Sequence, residues 1–256
     1  MSKTDLHKLD EALDRWPLWQ QPGLSRRPNI IDQLPGGLTN TSWLVETAIG
    51  FAVVRVNSLH DTALNIDRFR EKQIHRAAAR AGLAPSILFC DLLNGILVTE
   101  YISGTIWQAE SFGLPHNQNR VRQLLDNIQK IKLPLPKFDY WQHLCHYESC
   151  LKSLEASIPD ELECRKKHHK ASIEEFQLAS WTPVLTHHDL QSGNVIEQEG
   201  QLYVIDWEYA AMGYGGMDCQ LLSCENTSEW AVIPLLQGLI SDYWLLLKNQ
   251  LTDQPI

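Results

Sequence analysis

"LTHHDLQSGNVI", residues 185–196, sets two histidines, an aspartate, a glutamine, a serine and an asparagine between apolar runs. Core packing alone does not call for so many polar groups in one turn. Past Asn194 the chain continues as "VIEQEGQLYVID" (195–206), two short strands about Glu199-Gly200 that read as a hairpin and end on Asp206. His187 and Asp189 thus precede a hairpin whose two ends carry Asn194 and Asp206, and the hairpin folds those two side-chain oxygens back toward one point.

Working outward, "SWLVET" (42–47) and "FAVVRV" (51–56) flank "AIG" and read as a second hairpin. Residues 61–81 follow a helical pattern that stops at Gly82, with Pro85 beyond. "SILFC" (86–90) and "GILVTEYI" (95–102) are apolar strands, and Asn94-Gly95 between them suits a type I′ or bulged turn. Helical patterns dominate from about residue 105. Ahead of all this, "MSKTDLHKLDEALDRW" reads as an exposed amphipathic helix, too charged for a signal peptide, followed by the connector "QPGLSRRP". The expected class is α+β with two lobes and a cleft between them, divided near Glu100 to Gly104 into residues 1–102 and 103–256.

With 256 residues, 44% of them hydrophobic, the chain can bury a core without disulfides, and its apolar runs are too short to span a membrane. Its six cysteines are therefore expected as reduced thiols in the cytoplasm. His143, Cys145, His146, Cys150, Cys164, His168 and His169 share one segment, but irregular spacing and the lack of a CxxC pair argue against zinc. The net charge of −9 is unevenly spread. Residues 171–256 hold 12 acids against Lys248, whereas residues 1–170 hold 21 of the 22 Lys and Arg. Either the acids are a solvated surface or they make a field that attracts a cation; both make nucleic acid a poor partner.

His187-x-Asp189-x-x-x-x-Asn194, with Ile205-Asp206-Trp207-Glu208 after it, resembles the catalytic segment of the aminoglycoside phosphotransferase and choline kinase superfamily. The likeness spans about residues 32–230 and is specific at 187–209; it leans toward the thiamine, choline and ethanolamine kinases. It implies a protein-kinase-like fold and Mg²⁺-dependent phosphoryl transfer from ATP to an alcohol. In that frame Asp189 orients or accepts the hydroxyl proton, Asn194 and Asp206 offer oxygens to Mg²⁺, and His187 braces the loop. His188 stands where protein kinases carry Arg, which fits an enzyme with no phosphorylated activation loop.

Matches in the N-terminal half are individually weaker. Gly36, Gly37, Thr39 and Asn40 in "LPGGLTNTSWLVE" resemble a phosphate-covering loop that departs from G-x-G-x-x-G, so amides and hydroxyls must do the cradling. Arg55 stands where protein kinases carry Lys and can bridge phosphate oxygens; Glu71, or failing it Asp67, is its expected carboxylate. Glu100-Tyr101-Ile102 resembles the hinge whose backbone reads adenine. Trp207, Glu208, Tyr209, Asp218, Glu225 and Trp230 are candidates for the acceptor, since large cations bind aromatic faces backed by carboxylates. Asp218 as a helix cap and Trp230 as core are the alternatives. A small cationic alcohol is the expected acceptor; an aminoglycoside, or a silent nucleotide-binding protein of the same fold, is the alternative. Neither nucleic acid nor membrane is expected as a partner.

Overall fold

The computed structural model describes residues 3–35, 39–219, 222 and 230–253. In chain order come α1 (Lys3–Asp14), β1 (Asn29–Gln33), β2 (Thr41–Thr47), β3 (Gly50–Val56), α2 (Arg68–Arg80), β4 (Ile87–Asp91), β5 (Ile96–Glu100) and β6 (Thr105–Ile106). Helices α3 (Ala109–Gly113), α4 (Pro115–Lys130), α5 (Tyr140–Ser153), α6 (Asp160–His168) and α7 (Lys170–Leu178) follow. The chain then runs through β7 (Val184–Thr186), β8 (Val195–Gln198), β9 (Gln201–Val204), β10 (Ala211–Gly213) and α8 (Val232–Asp253). Two compact units result, neither continuous in sequence. The first holds Met1–Leu59, Arg68–Gln108 and Gln191–Trp207; the second holds His60–Asp67, Ala109–Leu190 and Glu208–Ile256.

The first unit is built on an antiparallel sheet of order β1-β2-β3-β5-β4. Alternation along β2 and β3 turns Trp43, Val45, Ala52, Val54 and Val56 inward. Leu9, Ala12 and Leu13 of α1 are fully buried in the same cluster. The first helix is amphipathic as expected but covers the sheet rather than standing exposed, and each leucine of its apolar stripe contributes roughly 2 kcal/mol. A second ladder, β6-β8-β9, completes the unit. It requires Gly104, where a Cβ would lie 2.3 Å from the Glu197 carbonyl oxygen. Glu199 and Gly200 both take positive φ (51° and 84°), as a type I′ turn demands, whereas in the Asn94-Gly95 turn Gly95 alone does. The helix expected over residues 61–81 starts only at Arg68, because Asn65 adopts a left-handed φ of 58° that a helix cannot include.

The second unit packs α5, α7 and α8 about one cluster. Tyr140, Leu144, Tyr147 and Leu151 follow the i, i+4, i+7 rhythm of a buried helix face, and Leu236, Leu239, Tyr243 and Leu247 form such a face on α8 at i, i+3, i+7. Asp139 starts α5 by accepting from the Gln142 amide at 2.8 Å. β7 and β10 pair antiparallel, and residues 187–190 leave the end of β7. No helix among the described residues is long and apolar enough to cross a membrane.

Candidate active site

In the first unit Arg55 projects from β3 between buried neighbours on the opposite face, and each of its three guanidinium nitrogens donates a hydrogen bond. Nη2 donates to Glu71 Oε1 at 2.5 Å, Nη1 to Asp206 Oδ1 at 3.2 Å and Nε to Asn57 Oδ1 at 3.0 Å. Glu71 accepts also from Arg68 at 2.9 Å, and Arg68 in turn donates to Asn40 at 3.0 Å. Burial opposes the charge on Glu71, but Arg55 and Arg68 outweigh it and hold the carboxyl below its ordinary range. His75, one turn on, is buried and pushed down to about 4; its Nε2–H donates to the Pro85 carbonyl, so it is neutral and does not compete for Glu71.

Asn194 and Asp206 lie at the open end of the β8–β9 hairpin, where the Ile205 amide donates to the Asn194 carbonyl at 3.0 Å. Asp206 has a left-handed φ of 63°, which aspartate tolerates better than most residues, and its side chain is 30% exposed. Two oxygen donors at adjacent strand ends suit Mg²⁺, which keeps waters and takes phosphate oxygens for the rest of its shell. No group of three His, Cys, Asp or Glu among the described residues forms a metal cluster. The Cys and His of residues 143–169 do other work: Cys145, Cys150 and Cys164 are free thiols, and His143 and His146 bond residues 62–65.

In the second unit the loop after β7 is held from below. Asp218, 3% exposed, accepts the His187 amide at 2.6 Å and the His188 amide at 2.9 Å. His188 takes a left-handed φ of 65°, an arrangement by which successive amides converge on one anion. Burial pushes Asp218 up to about 6, the two amides pull it down, and the charge on Asp189 adds to the rise. The His188 ring donates from Nδ1 to the Tyr209 carbonyl at 3.1 Å, so Nε2 accepts from the Tyr140 hydroxyl at 2.9 Å, which itself accepts the Tyr214 amide. Gly213 lies against this pair; a Cβ there would come within 2.5 Å of the Tyr140 oxygen. His187 is fully buried, and Asp189 is half-buried on the loop so braced.

Other expected residues fall variously. Trp207 is fully buried in the first unit, with its indole N–H on the Val204 carbonyl at 3.0 Å. Glu208 is 3% exposed, and the Tyr209 hydroxyl accepts from Trp244 at 2.7 Å. Trp230 packs edge-on against Phe176. Glu100 is exposed and bonds the Ser86 amide; Ile102 is half-buried beyond it. Thr39 is half-buried and Asn40 buried, while Gly36, Gly37 and Glu225 lie outside the described residues. Arg68 and Tyr140 are the residues that sequence reasoning passed over. Arg68 was legible three residues before Glu71 on one helix face; Tyr140, 48 residues from His188, carried no local signal.

A unit built on an antiparallel five-stranded sheet and a mostly helical unit make up the α+β fold of the protein-kinase-like phosphotransferases that the chain is similar to in structure. The model of the choline/ethanolamine kinase family matches residues 31–237, and the chain belongs to that family, as an ATP-dependent kinase of small molecules. No curated protein matches the chain by sequence. The choline kinase LicA from Streptococcus pneumoniae is similar in structure, with TM-score 0.70 and 22% identity over 88% of each chain. LicA in complex with AMP gives 0.76 and 21% over 99% of this chain and 93% of the other. An ADP-bound aminoglycoside phosphotransferase gives 0.57 and 16% over 96% and 86%.

Proposed function

We propose that this kinase transfers the γ-phosphoryl group of ATP, with Mg²⁺, to the hydroxyl of a small cationic alcohol of the thiamine, choline or ethanolamine type. The observation that carries the reading is the Arg55 guanidinium shared between Glu71 and Asp206. It sets one phosphate-directed cation beside the carboxylate that the reading assigns to the metal ion. Asn194 and Asp206 would hold Mg²⁺, which neutralises phosphate charge when bound. Residues 1–102 supply the nucleotide contacts: Gly36, Gly37, Thr39 and Asn40 toward the phosphates, and the backbone from Glu100 to Ile102 toward adenine. Residues 103–256 supply catalysis and acceptor binding.

Asp189 orients the acceptor hydroxyl and takes its proton. His187 and Asp218 are positioning residues, since the loop amides and the Asp218 carboxylate satisfy one another. Trp207, Glu208, Tyr209, Glu225 and Trp230 remain the acceptor candidates, and the free thiols of the five described cysteines, with ATP as donor, support a cytoplasmic setting. The test is ADP formation with Mg²⁺ and ATP across thiamine, choline, ethanolamine, a sugar amine and kanamycin, for the natural chain and Asp189→Asn. One small cationic alcohol should turn over, and the variant should lose about 100-fold or more. Turnover of kanamycin alone would move the acceptor to the aminoglycosides; Mg·ATP binding without any turnover would make the protein a silent nucleotide binder.

A further inference from the structure

The connector from β3 to α2 is held in an unusual way. At its start, Asn57 accepts from Arg55, and the Ser58 amide donates to Asn40, the same oxygen that Arg68 bonds. At its end, Arg68 opens α2 and pairs with Glu71. Between these points residues 60–67 belong to the second unit, where Leu64 and Ile66 are 1% and 7% exposed in the helical core. One face of α5 fastens them there, through three residues at i, i+3 and i+4. His146 Nε2–H donates to the Thr62 carbonyl at 2.8 Å and approaches that of Ala63 at 3.1 Å; the Tyr147 hydroxyl donates to the Leu64 carbonyl at 3.2 Å. His143 Nδ1 accepts from the Asn65 side-chain amide at 2.6 Å, and Asn65 is the residue whose left-handed φ bends the connector.

Only Ile66 and Asp67 separate Asn65 from Arg68, which opens α2 and pairs with Glu71, the carboxylate that Arg55 also bonds. We propose that His143 is a positioning residue for the nucleotide: by gripping Asn65 it sets the start of α2, and hence the orientation in which Arg55 meets the phosphates. The proposal rests on the reading of Arg55 as a phosphate ligand. Asn65 and His143 touch neither ATP nor acceptor in this account, and their effect is confined to nucleotide affinity.

Asn65→Gly removes the amide while keeping the positive φ at no steric cost, so folding is preserved where His143→Ala risks a cavity. Mg·ATP affinity by calorimetry, with KM for ATP and for the acceptor, is measured for Asn65→Gly, His143→Ala, the double variant and Arg55→Ala. Asn65→Gly is expected to weaken ATP about five-fold or more with the acceptor KM within about two-fold, and the double variant to be no worse than His143→Ala. If Arg55→Ala weakens ATP but Asn65→Gly does not, or if both substrates suffer equally, the positioning role is overturned and the reading of Arg55 stands. If Arg55→Ala leaves ATP affinity unchanged, that reading fails and takes the proposal with it.

Discussion

Asp218 gathers two consecutive loop amides onto a carboxylate that burial pushes up to about 6 from 3.8. Between those values the folded chain holds a proton that the unfolded chain releases. The stability this group contributes is therefore fully present below about pH 4 and is lost as the pH rises through about 6, a swing of roughly 3 kcal/mol. Asp218→Asn does not titrate and keeps the volume, but offers one acceptor oxygen to two amides. The stability of the natural chain relative to this variant should accordingly fall between about pH 4 and pH 7, as read by urea melts at each pH. Activity should move the other way: at pH 7 the variant is expected to lose about ten-fold or more in kcat, because one loop amide is left without its partner. A stability difference that is flat with pH would mean that Asp218 is not the buried acid described.

At the scale of elements, the β8–β9 hairpin places Asn194 and Asp206, and its turn is not optimised. Glu199 sits at φ 51°, a conformation that asparagine adopts far more readily. Glu199→Asn should raise the melting temperature by about 1–3 °C with kcat unchanged, because the turn lies at the far end of the hairpin from both side chains. This hairpin, the β2–β3 hairpin and the β4–β5 pair were legible because each couples an alternating apolar run to a turn signal. β1, with five exposed residues, and the short strands β6, β7 and β10 were not, because their pairing is decided by distant partners rather than by local pattern. The same division holds in the site. The Arg55–Glu71 pair and the placing of Asn194 and Asp206 at the ends of one hairpin were legible from strand and helix pattern, whereas the part given to Asp189 came from the resemblance of its motif. The grip of Asp218 on the loop and the Tyr140–His188 bond depend on contacts tens of residues apart.

Across the whole molecule the charge pattern bears on the acceptor. Of the 12 acids in residues 171–256, Glu208 and Asp218 are buried, and that stretch holds one Lys and no Arg. Such a field draws a cation toward the region and is screened over about 10 Å at 0.1 M salt. With Mg·ATP saturating, kcat/KM for a quaternary or protonated amino alcohol should fall about three-fold or more between roughly 20 and 300 mM salt. For the neutral carbon isostere of the same alcohol it should change less than about 1.5-fold, because no charge is left for the field to act on. Steady-state rates for the two alcohols over one salt series make the comparison, the isostere absorbing any salt effect on the nucleotide or on the fold. An equal response of both alcohols would assign the acids to a solvated surface, and the acceptor's charge would then have to be recognised by close contacts alone.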